Sequence, residues 1–107
     1  MEWKMDRDGN LLTVSVEGRF TACQAPKVRD QIINVLAPGD NVLFDLSGME
    51  HIDSSGLGAL VQILQKARSG GGDVVLAGIR PGPRIVFDIT KVSRVFEIVP
   101  ALSDAQF

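Results

Sequence analysis

Two short, nearly continuous apolar runs bracket a segment of helical periodicity, and this arrangement constrains the fold more than any other feature of the chain. Val42-Leu43-Phe44-Asp45-Leu46 and Asp73-Val74-Val75-Leu76-Ala77 lack the polar alternation of a strand with one wet face. Runs of this kind are strands covered on both sides, as in a parallel sheet. Between them Leu57, Leu60, Val61, Leu64 and Ala67 mark the apolar stripe of an amphipathic helix, stopped by Gly70-Gly71-Gly72. Strand, helix and strand in this order make a right-handed crossover.

The flanking segments extend the same scheme. Leu12, Val14 and Val16 alternate with Thr13, Ser15 and Glu17, and Trp3 and Met5 alternate before the turn signal Asp8-Gly9-Asn10. Residues 2–17 therefore read as a β-hairpin, its first strand near a sheet edge and Trp3 a lid on the core. Ala25, Val28, Ile32, Val35 and Leu36 follow helical spacing, with Pro26 suited to the first turn and Pro38-Gly39 as the stop. Residues 47–55 read as a loop. After Pro81 and Pro83, the residues Ile85, Val86, Ile89 and Val92 suggest a third, shorter helix, and Val95-Phe96-Glu97-Ile98-Val99 a last strand. The order β-β-α-β-α-β-α-β predicts an α/β fold: one small domain over 1–107, with a mixed, mostly parallel sheet of about five strands and helical crossovers. A chain of 107 residues is the common size for one domain and buries enough surface to need no disulfide or metal.

Composition excludes several functions. Eleven Lys and Arg against thirteen Asp and Glu leave a net charge of −2, so there is no positive excess for nucleic-acid backbones. No apolar run approaches the ~20 residues that span a bilayer, and Met1–Arg7 lacks the apolar stretch of a signal peptide. The lone Cys23 has no partner for a disulfide or a zinc site, which fits a reducing cytoplasm. Cys23 itself reads as a small packing residue.

Enzyme templates fail. Neither Gly56 nor Gly58 leads into the Gly-Lys pair of a phosphate-binding loop. Gly56-Leu57-Gly58-Ala59-Leu60-Val61 ends in valine where a dinucleotide fingerprint requires a third glycine. Ile52 stands where a nucleophile elbow would place glycine before Ser54, and His51 is too close in sequence for triad geometry. Neither catalysis nor a metal or cofactor is expected. Arg80, Arg84, Lys91 and Arg94 read as a solvated face, and His51 as a surface residue.

What remains distinctive is Asp53-Ser54-Ser55-Gly56-Leu57-Gly58, which opens the second helix. These residues suit a capped helix start: Ser54 or Ser55 satisfies a free amide, Asp53 complements the helix dipole, and the glycines allow helix to approach sheet. They also suit a functional site, because a phosphoryl group on a serine there would be stabilised by the helix N-terminus while presenting new charge to a partner.

The stretch Phe44-Asp45-Leu46-Ser47-Gly48-Met49-Glu50-His51-Ile52-Asp53-Ser54-Ser55-Gly56-Leu57-Gly58-Ala59-Leu60-Val61 resembles the signature of STAS domains, specifically bacterial anti-sigma factor antagonists. Val16-Glu17-Gly18 at the second strand's end, and Ile79-x-Pro81 followed by Phe87-Asp88, are similar to the corresponding parts of that family. The resemblance implies a phosphorylation-switched interaction module in which Ser54 is the substrate of an anti-sigma factor serine kinase of the histidine-kinase-like ATPase type. The unphosphorylated form would bind that kinase and free a sigma factor, and a PP2C-type phosphatase would restore it. Asp53, Ser54, Ser55, Gly56, Thr21 and Ala22 are the expected partner-binding residues. Many antagonists carry an aspartate three residues after the glycine that ends the second strand, and here Gly18 is followed by Arg19, Phe20 and Thr21. This departure leaves a second reading: a STAS scaffold subunit of another complex, in lipid transport or a non-sigma signalling output.

Overall fold

The computed structural model describes all 107 residues. The order is β1 (Glu2–Asp8), β2 (Leu11–Phe20), α1 (Ala25–Val35), β3 (Asn41–Ile52), α2 (Ser54–Ser69), β4 (Val74–Ala77), α3 (Pro81–Ile89) and β5 (Glu97–Val99), with 3-10 turns at Val92–Arg94 and Leu102–Asp104. The sheet runs β1-β2-β3-β4-β5. β1 is antiparallel to β2, and every other pairing is parallel. This is the small α/β domain expected from the alternation of periods. None of the helices is long and apolar enough to cross a membrane.

Period-two alternation sorts the side chains between the two faces of the sheet. Leu12, Val14, Val16, Val42, Phe44, Leu46, Val74 and Leu76 point to the face that carries Ala25, Val28 and Ile32 of α1, Leu57, Leu60, Ile63 and Leu64 of α2, and Phe87 of α3. Each of these valine, leucine, isoleucine and phenylalanine side chains, withdrawn fully from water, contributes about 1.5–3 kcal/mol. Trp3 and Met5 pack half-buried at the rim of this core. On the opposite face Leu43, Val75 and Ala77 form a smaller cluster with Leu11, Val99 and Ala105. Ala105 belongs to the tail that follows β5, so the tail crosses this second face.

The structure corrects four local readings. The segment after Leu46 is not a loop: β3 continues to Ile52, pairing Gly18 with Met49 and Phe20 with Ile52, with two register shifts against β2. In α3 the buried residues are Pro83 and Phe87, while Ile85 and Ile89 are 57% and 75% exposed. The last strand begins at Glu97, and Val95 lies exposed beyond the preceding turn. Val35 of α1 is exposed as well.

At the end of the sheet where β1 and β2 turn, Asp40 is the buried charged residue. Its carboxylate accepts from Arg7 Nη1 at 3.0 Å, Arg7 Nη2 at 2.9 Å and the Ala37 amide at 2.8 Å. The Arg7 fork holds Asp40 below the ordinary carboxylate range, with the Ala37 amide adding to the effect. This pairing latches β1 to the turn between α1 and β3.

Candidate functional site

Parallel strands place their C-terminal ends at one edge of a sheet, where connections gather. Here the β2–α1 turn, which carries Thr21 and Ala22, meets the junction from β3 into α2, which carries Asp53, Ser54, Ser55 and Gly56. One carboxylate joins them. Asp53 Oδ1 accepts from the Gly56 amide at 3.0 Å, and Asp53 Oδ2 accepts from the Ala22 amide at 3.2 Å. Asp53 is therefore the N-cap of α2, satisfying one of the free first-turn amides, and its second oxygen ties down the neighbouring turn.

That assignment corrects the expectation that Ser54 or Ser55 caps the helix. Both serines lie in the first turn, exposed, and neither hydroxyl is held by an intramolecular hydrogen bond. Gly56 has the packing role foreseen for the glycines. A Cβ there would collide with the Phe20 carbonyl oxygen and with Ile52 Cγ1, so α2 touches the end of β2 through bare backbone. Gly58 does not share this role, since a side chain there would meet open space.

Thr21 stands in the β2–α1 turn and bonds locally. Its hydroxyl and amide both approach Gln24 Oε1, at 3.1 and 3.4 Å, and its carbonyl accepts from the amides of Gln24 and Ala25. The carboxylate in this region is thus Asp53, not a residue of the turn. Cys23 is exposed beside it, which corrects its reading as a packing residue. His51 is exposed on β3, as expected.

The basic residues of the third crossover do not form one patch with the serines. Arg80 reaches back to β3, donating to the Ser47 carbonyl at 2.7 Å, and Arg84 pairs with Asp88 one turn along α3 at 3.0 Å. That pairing, with Ser93 assisting, holds Asp88 below the ordinary carboxylate range. Ser47 donates its hydroxyl to Asp45 at 2.7 Å and is engaged, unlike Ser54. No cluster of His, Cys, Asp and Glu side chains is arranged to hold a metal ion.

The STAS domain family model matches residues 2–105. The chain belongs to the STAS domain family. A relative in Listeria monocytogenes, an anti-sigma-B factor antagonist, is 30% identical over 94 residues, covering 87% of this chain and 82% of its own. The crystal structure of an anti-sigma factor antagonist from Mycobacterium paratuberculosis superposes with a TM-score of 0.82 at 25% identity, covering 96% of this chain and 88% of that one. A STAS domain protein from Planctomyces limnophilus, at 18% identity, shares the fold with a TM-score of 0.84 over 95% of this chain and 92% of its own. Within the signature of this STAS domain, Ser54 and Ser55 are exposed at the start of α2, as are Ser47, Glu50 and His51 on β3.

Proposed function

We propose that this STAS domain is a phosphorylation-switched interaction module of the anti-sigma factor antagonist type, with Ser54 as the phosphoacceptor and no catalysis of its own. The observation that carries the reading is the pair of exposed, unengaged hydroxyls of Ser54 and Ser55 in the first turn of α2, beside a carboxylate that fixes both adjoining segments. Ser54 is chosen of the two because it directly follows Asp53, the position the resemblance implies. An attacking kinase finds that hydroxyl free, and the helix N-terminus favours the phosphate that results. The unmodified form binds an anti-sigma factor serine kinase of the histidine-kinase-like ATPase fold through Thr21, Ala22 and Asp53–Gly56, in the cytoplasm. A PP2C-type phosphatase resets it.

The test is phosphate transfer from ATP by such a kinase, followed by phosphopeptide mapping. Ser54→Ala abolishes incorporation and Ser55→Ala largely spares it. Label on Ser55, Thr21 or Ser47 overturns the assignment. Charge reversal at Lys66, at the far end of α2, leaves binding intact, and a loss there equal to that at the Asp53 end places the surface elsewhere. The second reading, a scaffold subunit of another complex, is favoured by Thr21, whose hydroxyl is turned onto Gln24. It predicts no phosphate uptake from any kinase in an extract of the source cells.

A further inference from the structure

We propose that Gln24 is a positioning residue for the Ser54 phosphoacceptor, acting on it through the β2–α1 turn and Asp53. This role rests on the reading of Ser54 given above, and Gln24 bonds to neither serine. Gln24 is the N-cap residue of α1, a place where a polar side chain ordinarily serves the amides of the first helical turn. Its side chain makes no such bond. The start of α1 has little need of one, because the Ala25 amide already donates to the Thr21 carbonyl at 2.8 Å and Pro26 has no amide to satisfy. Gln24 turns back instead.

Gln24 Oε1 accepts from the Thr21 hydroxyl at 3.1 Å and from the Thr21 amide at 3.4 Å. A backbone amide can only donate, so the oxygen of the Gln24 side chain is the atom that faces Thr21. The Gln24 amide in turn donates to the Thr21 carbonyl at 3.0 Å, which joins residues 21 and 24 in both directions and closes the turn on itself. This is the glutamine half of a capping box. The Ala22 amide, which the turn's own bonds leave unpaired, is the one that Asp53 Oδ2 accepts at 3.2 Å. Asp53 Oδ1 is held by the Gly56 amide at 3.0 Å, and Ser54 is the next residue along the chain.

The two anchors of that carboxylate differ in firmness. The Gly56 amide belongs to α2 at its closest approach to Phe20, whereas the Ala22 amide is placed by a turn whose Ala22 and Cys23 are both exposed. Within residues 21–24 the bonds to Gln24 are the only internal side-chain hydrogen bonds. Without that acceptor the turn samples other arrangements, Asp53 keeps its second anchor for part of the time, and the kinase meets an assembled surface in only a fraction of molecules. Apparent affinity falls by that fraction, while a complex once formed presents the same hydroxyl. The defect therefore lies in KM and not in kcat.

The test takes the full chain as substrate for an anti-sigma factor serine kinase of the source cells, with ATP. Gln24→Leu keeps the bulk and removes the acceptor, and Gln24→Glu keeps the acceptor with a charge suited to the start of α1. For Gln24→Leu the expected result is a KM raised about threefold to tenfold, the worth of one neutral hydrogen bond, with kcat unchanged and hydrogen exchange at the Ala22 amide quickened. Gln24→Glu behaves as the parent in all three. Ile32→Val trims the buried face of α1 and costs stability, yet leaves KM and the Ala22 exchange as in the parent. A Gln24→Leu chain with the parent's KM, a loss confined to kcat, the same loss in Ile32→Val, or a Gln24→Glu chain no better than Gln24→Leu overturns the role of Gln24 and leaves Ser54 as phosphoacceptor in place. A parent chain that takes up no phosphate overturns the reading of Ser54 and this role with it.

Discussion

Asp53 does two jobs with one carboxylate, and its substitutions separate them. Asp53→Ala removes the helix cap and lowers stability by about 1 kcal/mol, read by chemical denaturation. Asp53→Asn retains a good capping oxygen for Gly56 but turns an amide donor toward the Ala22 amide. Its stability falls less, while hydrogen exchange at Ala22 quickens. Any binding loss on charge reversal at Asp53 is to be weighed against that destabilisation. The sequence could not choose among Asp53, Ser54 and Ser55, because all three are good capping residues and one position of register separates each from the next. Asp40 was silent in the sequence for a different reason: its partner Arg7 lies 33 positions away. Its carboxyl is held below 3.8 in the fold, so the folded state binds fewer protons than the unfolded one. That stabilisation is complete above the unfolded value and is lost as pH falls through the folded one. Urea midpoints measured between pH 5 and pH 2 are expected to fall more steeply for the parent than for Asp40→Asn, which starts lower and lacks this titration.

At the scale of elements, the legible parts were those with one unbroken period. The hairpin, α1 and α2 follow directly from alternation or from helical stripes, and β4 from its short continuous apolar run. β3 beyond Leu46 was illegible because Ser47-Gly48-Met49-Glu50-His51 mixes small and charged residues, and two bulges break the alternation that would mark a strand. α3 offered two stripes at the same spacing, Pro83 with Phe87 and Ile85 with Ile89. Periodicity cannot rank them, and the more hydrophobic pair proved to be the exposed one. Tertiary packing decided it, through α3 lying against β3 with Phe87 in the core. The consequence is measurable. Phe87→Ala empties a fully buried site and costs about 3–5 kcal/mol, whereas Ile89→Ser on the exposed stripe stays within about 0.5 kcal/mol. Comparable losses at both positions would mean that α3 is rotated about its axis.

For the whole molecule, the expected effect of a phosphate on Ser54 is strong on partners and weak on the fold. The helix N-terminus returns about 0.3–1 kcal/mol to the added charge, which roughly offsets repulsion from Asp53, whose oxygens already face the Gly56 and Ala22 amides. Thermal melts of the modified and unmodified domain should differ by only a few degrees. In a complex, the same group brings about −1.5 to −2 charges into a contact shaped for a neutral hydroxyl. A penalty of ~3 kcal/mol weakens binding more than a hundredfold, and calorimetric titration against the kinase reads it. A large shift in the melt would replace this electrostatic block with a conformational switch. The tail adds a polarity to the molecule. After β5 it passes Ser47 and Gly78, packs Ala105 over Leu43, Val75 and Ala77, and brings Phe107 beside Asn41, Gly72 and Asp73. Phe107 therefore sits at the pole where β3 and β4 begin, while Ser54 sits at the pole where β3 ends. A dye, bead or sensor surface coupled at residue 107 would hold the domain with its serine pole turned outward, free to meet whatever is offered.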